Sequence, residues 1–142
     1  MKRRRLGNSD LDLSILSLGT VALGMAYGIT PSEAQQRGQG GGMAPPTLAE
    51  ATRLIHQALA EGINFIDTAS AYGRAEEVVG YALQDRRHEA VVATKINCFD
   101  TNGKLMRGDA LRQHMEASVV DSLRSLRTDT IDLLMLHSAP LE

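Results

Sequence analysis

One cysteine, Cys98, is all that the 142 residues contain. An internal disulfide framework is therefore excluded, and the composition suits a reducing cytosol. An excess of charge of one sign is also missing, since 15 basic and 17 acidic residues leave a net charge of −2. That balance gives no reason to expect nucleic acid or an anionic membrane as a partner. The basic start Met1-Lys2-Arg3-Arg4-Arg5 leads into Asn8-Ser9-Asp10 rather than into an apolar core, so it does not read as a signal peptide. Its ordinary reading is an exposed strand edge. Leu13–Ile29 is the most apolar stretch, but Gly19, Gly24 and Gly28 break it, and it is shorter than the ~20 residues a membrane span needs. No G-x-G-x-x-G lies between a strand and a helix, and the glycines around 38–42 fit no Walker spacing. What remains is an ordinary globular composition, 43% apolar and 23% charged, with enough chain for one core.

The apolar pattern alternates between short runs and helical stripes. Arg3–Leu6 and Leu11–Ser14, joined by Gly7-Asn8-Ser9-Asp10, predict a hairpin, and Ile15–Thr20 predicts a buried strand. A glycine at the end of that strand, Gly19, lets a ligand approach the backbone. The segment 28–46 is rich in Gly and Gln and is closed by Pro45-Pro46. It reads as a flexible inserted loop that buries too little to order itself. Thr47-Leu48-Ala49-Glu50 is a capping box that opens a helix with an apolar stripe at Ala51, Leu54, Ile55, Ala58 and Leu59, stopped by Gly62. A strand Ile63–Asp67 follows. Glu76-Glu77 then stand where a helix N-terminus favours anions, with Val78, Val79, Ala82 and Leu83 as the apolar face. A strand Ala90–Ile96, a helix from Gly108 to about Arg127 carrying Leu111, Met115, Val119, Leu123 and Leu126, and a strand Ile131–His137 complete the regular part. Four strands alternating with three helices imply a parallel α/β sheet, about half of an eight-fold barrel that takes ~250 residues in full. A small doubly wound domain is the competing architecture.

Three of these strands end in ionisable residues: Asp67, Lys95 and His137. Tyr72 follows Asp67 by five residues, in a loop closed by Gly73. In a parallel barrel all strand carboxyl ends open on one face, where catalysis takes place, so the four side chains are predicted to converge. Tyrosine holds its proton at neutral pH, and a neighbouring ammonium stabilises the phenolate it leaves behind. Lys95 can supply that charge, Asp67 can keep Lys95 oriented and charged, and His137 can donate to a substrate oxygen. Such a set protonates an oxygen that is gaining negative charge. Carbonyl reduction creates that oxygen, with the hydride coming from a cofactor.

Singly, each residue has a plainer reading: a loop cap for Asp67, packing for Tyr72, a solvated end for Lys95 and a core position for His137. Their placement at equivalent strand ends is what favours chemistry. His56 and His114 fall within helices and His88 in the charged turn 85–89, so all three read as structural or solvent-facing. Cys98 has no partner and reads as inert, and no ligand cluster for a metal stands out. Lys95 at a strand end could alternatively form a Schiff base, which borohydride trapping would detect.

Asn64-Phe65-Ile66-Asp67-Thr68-Ala69, Ala71-Tyr72-Gly73, Glu76-Glu77-Val78-Val79-Gly80, Ala93-Thr94-Lys95, Ser122-Leu123-Arg124-Ser125-Leu126-Arg127-Thr128-Asp129, Ile131-Asp132-Leu133 and Leu136-His137 together resemble the aldo-keto reductases. The Arg4-Arg5-Leu6-Gly7 hairpin and Leu16–Thr20 are similar to that family's start. The resemblance covers nearly the whole chain outside 28–46. It implies a parallel (β/α)8 TIM barrel, of which residues 1–142 are about the first half, and NADPH-dependent reduction of a small aldehyde or ketone to an alcohol. It implies Tyr72 as general acid, Lys95 as the partner that assists its ionisation, Asp67 as the partner of Lys95, and His137 as the group that orients the carbonyl. Thr20 and Asp67 would lie beside the nicotinamide of the cofactor. Two departures stand out: Arg74-Ala75 alone fills a loop that is longer in the family, and 28–46 inserts where the family borders its substrate pocket. The family's adenosine and phosphate contacts come mostly from the second half of the barrel. The chain is therefore expected to be the N-terminal half of a longer enzyme. Its open sheet edges would invite self-association. A cofactor-free remnant or binding subunit of the same family is the non-enzymatic alternative.

Overall fold

The computed structural model describes residues 1–28 and 44–138. Most of the Gly/Gln-rich loop predicted over 28–46, and the Pro140 break, lie outside the described residues. The predicted hairpin is present as β1 (Arg3–Arg5) and β2 (Asp12–Ser14), antiparallel with Arg3 opposite Ser14. The chain continues through β3 (Ser17–Gly19), a single turn α1 (Val21–Gly24) and α2 (Leu48–Ala60) to β4 (Phe65–Asp67). Next come α3 (Ala75–Ala82), a 3-10 turn at Arg87–Glu89, β5 (Val91–Ile96), α4 (Gly108–Ser125) and β6 (Leu133–Leu136).

The four later strands form one parallel sheet in the order β3-β4-β5-β6. This is the alternating α/β arrangement of a partial barrel rather than a doubly wound domain, with the crossover helices on one face. Register fixes which side chains share a face. Leu18, Ile66 and Val92 lie opposite one another and belong to the row that meets the helices. Ile66 and Val92 are buried with Ala51 and Ile55 of α2, Val78, Val79 and Ala82 of α3, and Leu83 and Leu126 just past the ends of α3 and α4. The predicted α2 stripe is corrected at Leu54, which is 45% exposed; Leu48 packs against the core with Leu59 instead, because the buried face is centred on Ala51 and Ile55. Gly80 allows a close contact between α3 and the end of α4: a Cβ there would stand 2.5 Å from the Ser125 carbonyl.

Caps and edges explain the boundaries. Thr47 and Glu50 form the expected reciprocal box, with Oγ1 of Thr47 accepting from the Glu50 amide and the Glu50 carboxylate accepting from the Thr47 amide. The strands are shorter than predicted because side chains take over the ladder at their starts. The Val92 amide donates to the Asp132 carboxylate at 2.7 Å, and Asn64 bonds to the hairpin. Helix α4 stops at Ser125, short of the predicted Arg127, in a turn where the Thr128 amide reaches the Leu123 carbonyl and the Arg127 amide reaches Arg124. That turn places Arg127 at φ 53, a conformation usually left to glycine, so no glycine marks it in the sequence. Among the described residues, no helix is long and apolar enough to cross a membrane.

Candidate active site

The stagger of the strands brings the ionisable ends together. Asp67 lies level with Ala93, Lys95 lies two residues further along β5 and level with Met135, and His137 follows Met135 by two. Alternation puts Asp67, Lys95 and His137 on the face away from the helices. The His137 amide donates to the Ile96 carbonyl, which extends the pairing one residue past β6.

Lys95 is the hub. Its Nζ donates to Oδ1 of Asp67 at 2.6 Å, to the Thr68 carbonyl at 3.1 Å and to Oη of Tyr72 at 3.3 Å. Three acceptors match the three protons of an ammonium. The side chains of Lys95 and Asp67 are 16% and 30% exposed, so the pair is partly shielded from solvent. Nζ also sits 5.0 Å from the centre of the Tyr72 ring. The edge of one ring meets the face of the other between Tyr72 and His137, with centroids 5.4 Å apart at 86°. The structure thus brings the four predicted residues into one cluster at the carboxyl ends of the strands.

Thr20 is placed differently. It is fully buried, and both its amide and its hydroxyl donate to the Asp67 carbonyl at 3.0 Å. It therefore holds the main chain of Asp67 from beneath rather than opening on the face of the site.

The Tyr72 turn is clamped by contacts that sequence reasoning missed. The Tyr72 amide donates to the Ala69 carbonyl at 3.0 Å, and the Arg74 amide donates to the Gly24 carbonyl at 3.1 Å. A Cβ on Gly24 would stand 2.0 Å from the Tyr72 carbonyl, so only glycine lets α1 come so close. On the other side, Oγ1 of Thr94 donates to Oε1 of Glu76 at 2.6 Å in a buried bond. The Glu76-Glu77 pair is visible in the sequence as an anionic helix start, but nothing in it says that Glu76 turns inward. Of the histidines read as structural, His56 bonds the Ala82 carbonyl at 2.8 Å through Nε2, as a structural residue does.

Compared with known proteins, residues 16–141 match the model of the aldo/keto reductase family. The chain is 35% identical over 145 residues to YqkF, an uncharacterized oxidoreductase of Bacillus subtilis, covering 100% of this chain and 40% of that protein. It is similar to the solved aldo-keto reductase AKR11C1 of Bacillus halodurans in its holo form, at TM-score 0.73 and 34% identity, covering 99% of this chain and 41% of that one. An aldo-keto reductase from Klebsiella pneumoniae in complex with NADPH is matched at TM-score 0.63 and 25% identity over 92% of this chain and 37% of that one. The chain spans about two fifths of the length of the curated relatives it matches.

Proposed function

Since the chain belongs to the aldo/keto reductase family, we propose that it carries the proton-donating half of an NADPH-dependent enzyme that reduces a small aldehyde or ketone to an alcohol. The observation that supports this best is the bridge of Lys95 between Asp67 at 2.6 Å and Tyr72 at 3.3 Å. Because Nζ donates to Oη, the phenolic proton of Tyr72 is left to point at a substrate oxygen. As that proton leaves, the Lys95 ammonium stabilises the phenolate, and Asp67 keeps the ammonium in place. His137, packed against the Tyr72 ring, donates to the same oxygen and fixes the carbonyl's direction.

The residues present fit the nicotinamide end of a cofactor on one observation. Asp67 spends Oδ1 on Lys95, and among the described residues its Oδ2 has no partner on a side chain 30% exposed. Asp67 would hold that end, with Thr20 supporting its main chain. When bound, the cofactor supplies the hydride. The likeness to a Klebsiella enzyme in complex with NADPH supports that choice of cofactor. A cytoplasmic location accords with the single cysteine.

The test is loss of NADPH absorbance with a panel of aldehydes. Turnover that Tyr72→Phe lowers at least ~100-fold is the expected result, and near-normal activity of that variant would overturn the role of Tyr72. No turnover from the folded chain would leave those residue roles standing and would mean that this half alone does not assemble a working cofactor site. The proposal extends to a second copy as partner. Among the described residues, β3 and β6 each pair on one side only in the parallel sheet, Leu16, Leu134 and Leu136 are exposed, and four strands are half of eight. Sedimentation showing a dimer that Leu136→Lys dissociates would support it, and a monomer at all concentrations would refute it.

A further inference from the structure

Glu76 is 6% exposed, yet among the described residues no basic side chain pairs with it. Burying an unpaired carboxylate is costly, and an apolar residue would fill the same space more cheaply. The N-terminus of α3 offsets part of the cost. What an apolar residue cannot do is make the directional bond to Thr94. Thr94 is fully buried and stands next to Lys95 on β5. Strand alternation sends Thr94 toward the helices and Lys95 toward the opposite face, so one peptide unit carries both. Glu76 in turn lies in the first turn of the helix whose first amide, that of Ala75, donates to the Tyr72 carbonyl at 3.1 Å. The Thr94–Glu76 bond therefore joins the strand that holds Lys95 to the turn that holds Tyr72 through the start of α3, as the bonds from the Ser70 amide and hydroxyl to the Lys95 carbonyl join them through the loop.

From this geometry we infer that Glu76 and Thr94 are positioning residues, which set the distance between Tyr72 and Lys95 by locking α3 onto β5. The inference rests on the proposed roles of Tyr72 and Lys95, but not on turnover for its test. A shift of about 1 Å in a reacting group is enough to cost roughly 100-fold in rate. An off-axis α3 would shift the Tyr72 turn while leaving the hydrophobic contacts of Val78 and Val79 largely in place.

The experiment compares the intact chain with Glu76→Ala, Glu76→Gln, Thr94→Val and the Ala–Val double variant. The readout is the proton NOE between the Tyr72 and His137 rings, without cofactor. Glu76→Ala and Thr94→Val are each expected to lose that cross-peak while far-UV circular dichroism keeps its helical shape. Glu76→Gln, whose amide oxygen still accepts from Thr94, is expected to keep it. The double variant should be no worse than either single one, as for two ends of one bond. Thr94→Val keeps the side-chain volume and so serves if Glu76→Ala does not fold. A full-strength cross-peak in Thr94→Val, or equal loss in Glu76→Gln and Glu76→Ala, would overturn the inference. Because the NOE reads ring geometry, it decides this point whether or not this chain alone turns over, so failure of the inference and failure of the proposed function are told apart. In an active chain, the same two losing variants should lower kcat about 100-fold with KM for NADPH unchanged.

Discussion

At their amino ends β4 and β5 run into Asn64, Arg87 and Asp132; at their carboxyl ends they run into Asp67, Tyr72 and Lys95. Polar residues crowd both ends, but their bonds are spent differently. At the amino end they turn inward. Asn64 gives Nδ2 to the Asp12 carbonyl at 2.9 Å and accepts from the Ser14 amide at 2.7 Å, while its own amide donates to Oγ of Ser14 at 3.1 Å. Arg87 reaches the carbonyls of Ala90 and Thr130 and the Asp132 carboxylate, leaving only Nε without a partner. These bonds latch the hairpin and the β6 approach onto the sheet. At the carboxyl end, Lys95 gathers three acceptors, but Oδ2 of Asp67, the Tyr72 proton and the His137 ring keep valences to offer. One end of the strands is spent on holding the fold together, and the other keeps capacity for a reacting molecule, as barrels divide their two faces.

The division is tested most sharply at Lys95. Lys95→Met should lower turnover by ~100-fold to ~10,000-fold while the free energy of unfolding changes by about 1 kcal/mol or less, because the pair it breaks is partly solvated. Kinetics and denaturant titration on the same sample check both halves. Gly24→Ala breaks the rule that the carboxyl end bears little on stability. Its new Cβ would stand 2.0 Å from the Tyr72 carbonyl, with backbone on both sides, so the turn must move. Turnover should fall about 100-fold and stability by about 1–3 kcal/mol. Loss of stability alone would mean that the turn relaxes without displacing Tyr72.

Much of this was readable in the sequence, and the misses have physical causes. The four-strand, three-helix order, the Thr47 capping box and the convergence of Asp67, Tyr72, Lys95 and His137 follow from patterns that repeat along the chain, since strand alternation and helix stripes are local. The Glu76–Thr94 bond, the Gly24–Tyr72 contact and the Asn64 latch join residues 18, 48 and 50 positions apart and leave no periodic trace. Leu54 was misplaced because a stripe gives the width of a buried face but not its centre. The bond from the Thr20 hydroxyl to the Asp67 carbonyl likewise joins distant residues that no local pattern connects.

At the amino end the expected effect lies on the other axis. Asn64→Ala would leave the Ser14 amide buried without an acceptor and free the Asp12 carbonyl, and should destabilise the fold by about 1–3 kcal/mol. Turnover per folded molecule should stay unchanged, since no bond to the Tyr72 cluster is lost. A fall in kcat at full folding would show that the two ends are coupled and would undo the comparison.

The smallest effect concerns acid. Bonds from the Thr47 side chain and backbone hold the Glu50 carboxyl below its usual range, and the bond from Arg86 does the same for Glu89. A carboxylate whose affinity for protons is lowered by folding contributes stability above its unfolded value, about 4.3, and loses it as pH falls through the lower folded value. Glu89 closes the turn before β5, on the side that holds the fold together, and Glu50 caps the start of α2, which runs back toward the amino end of β4. Stability should therefore begin to fall below about pH 4.5, with a gentler slope in Glu50→Gln and Glu89→Gln. Both groups are exposed, so salt should blunt the Glu89–Arg86 contribution and leave the Thr47 capping box nearly untouched, because hydrogen bonds to neutral donors are screened far less than an ion pair. Equal salt sensitivity of the two variants would mean that simple charge, rather than the box, holds the start of α2.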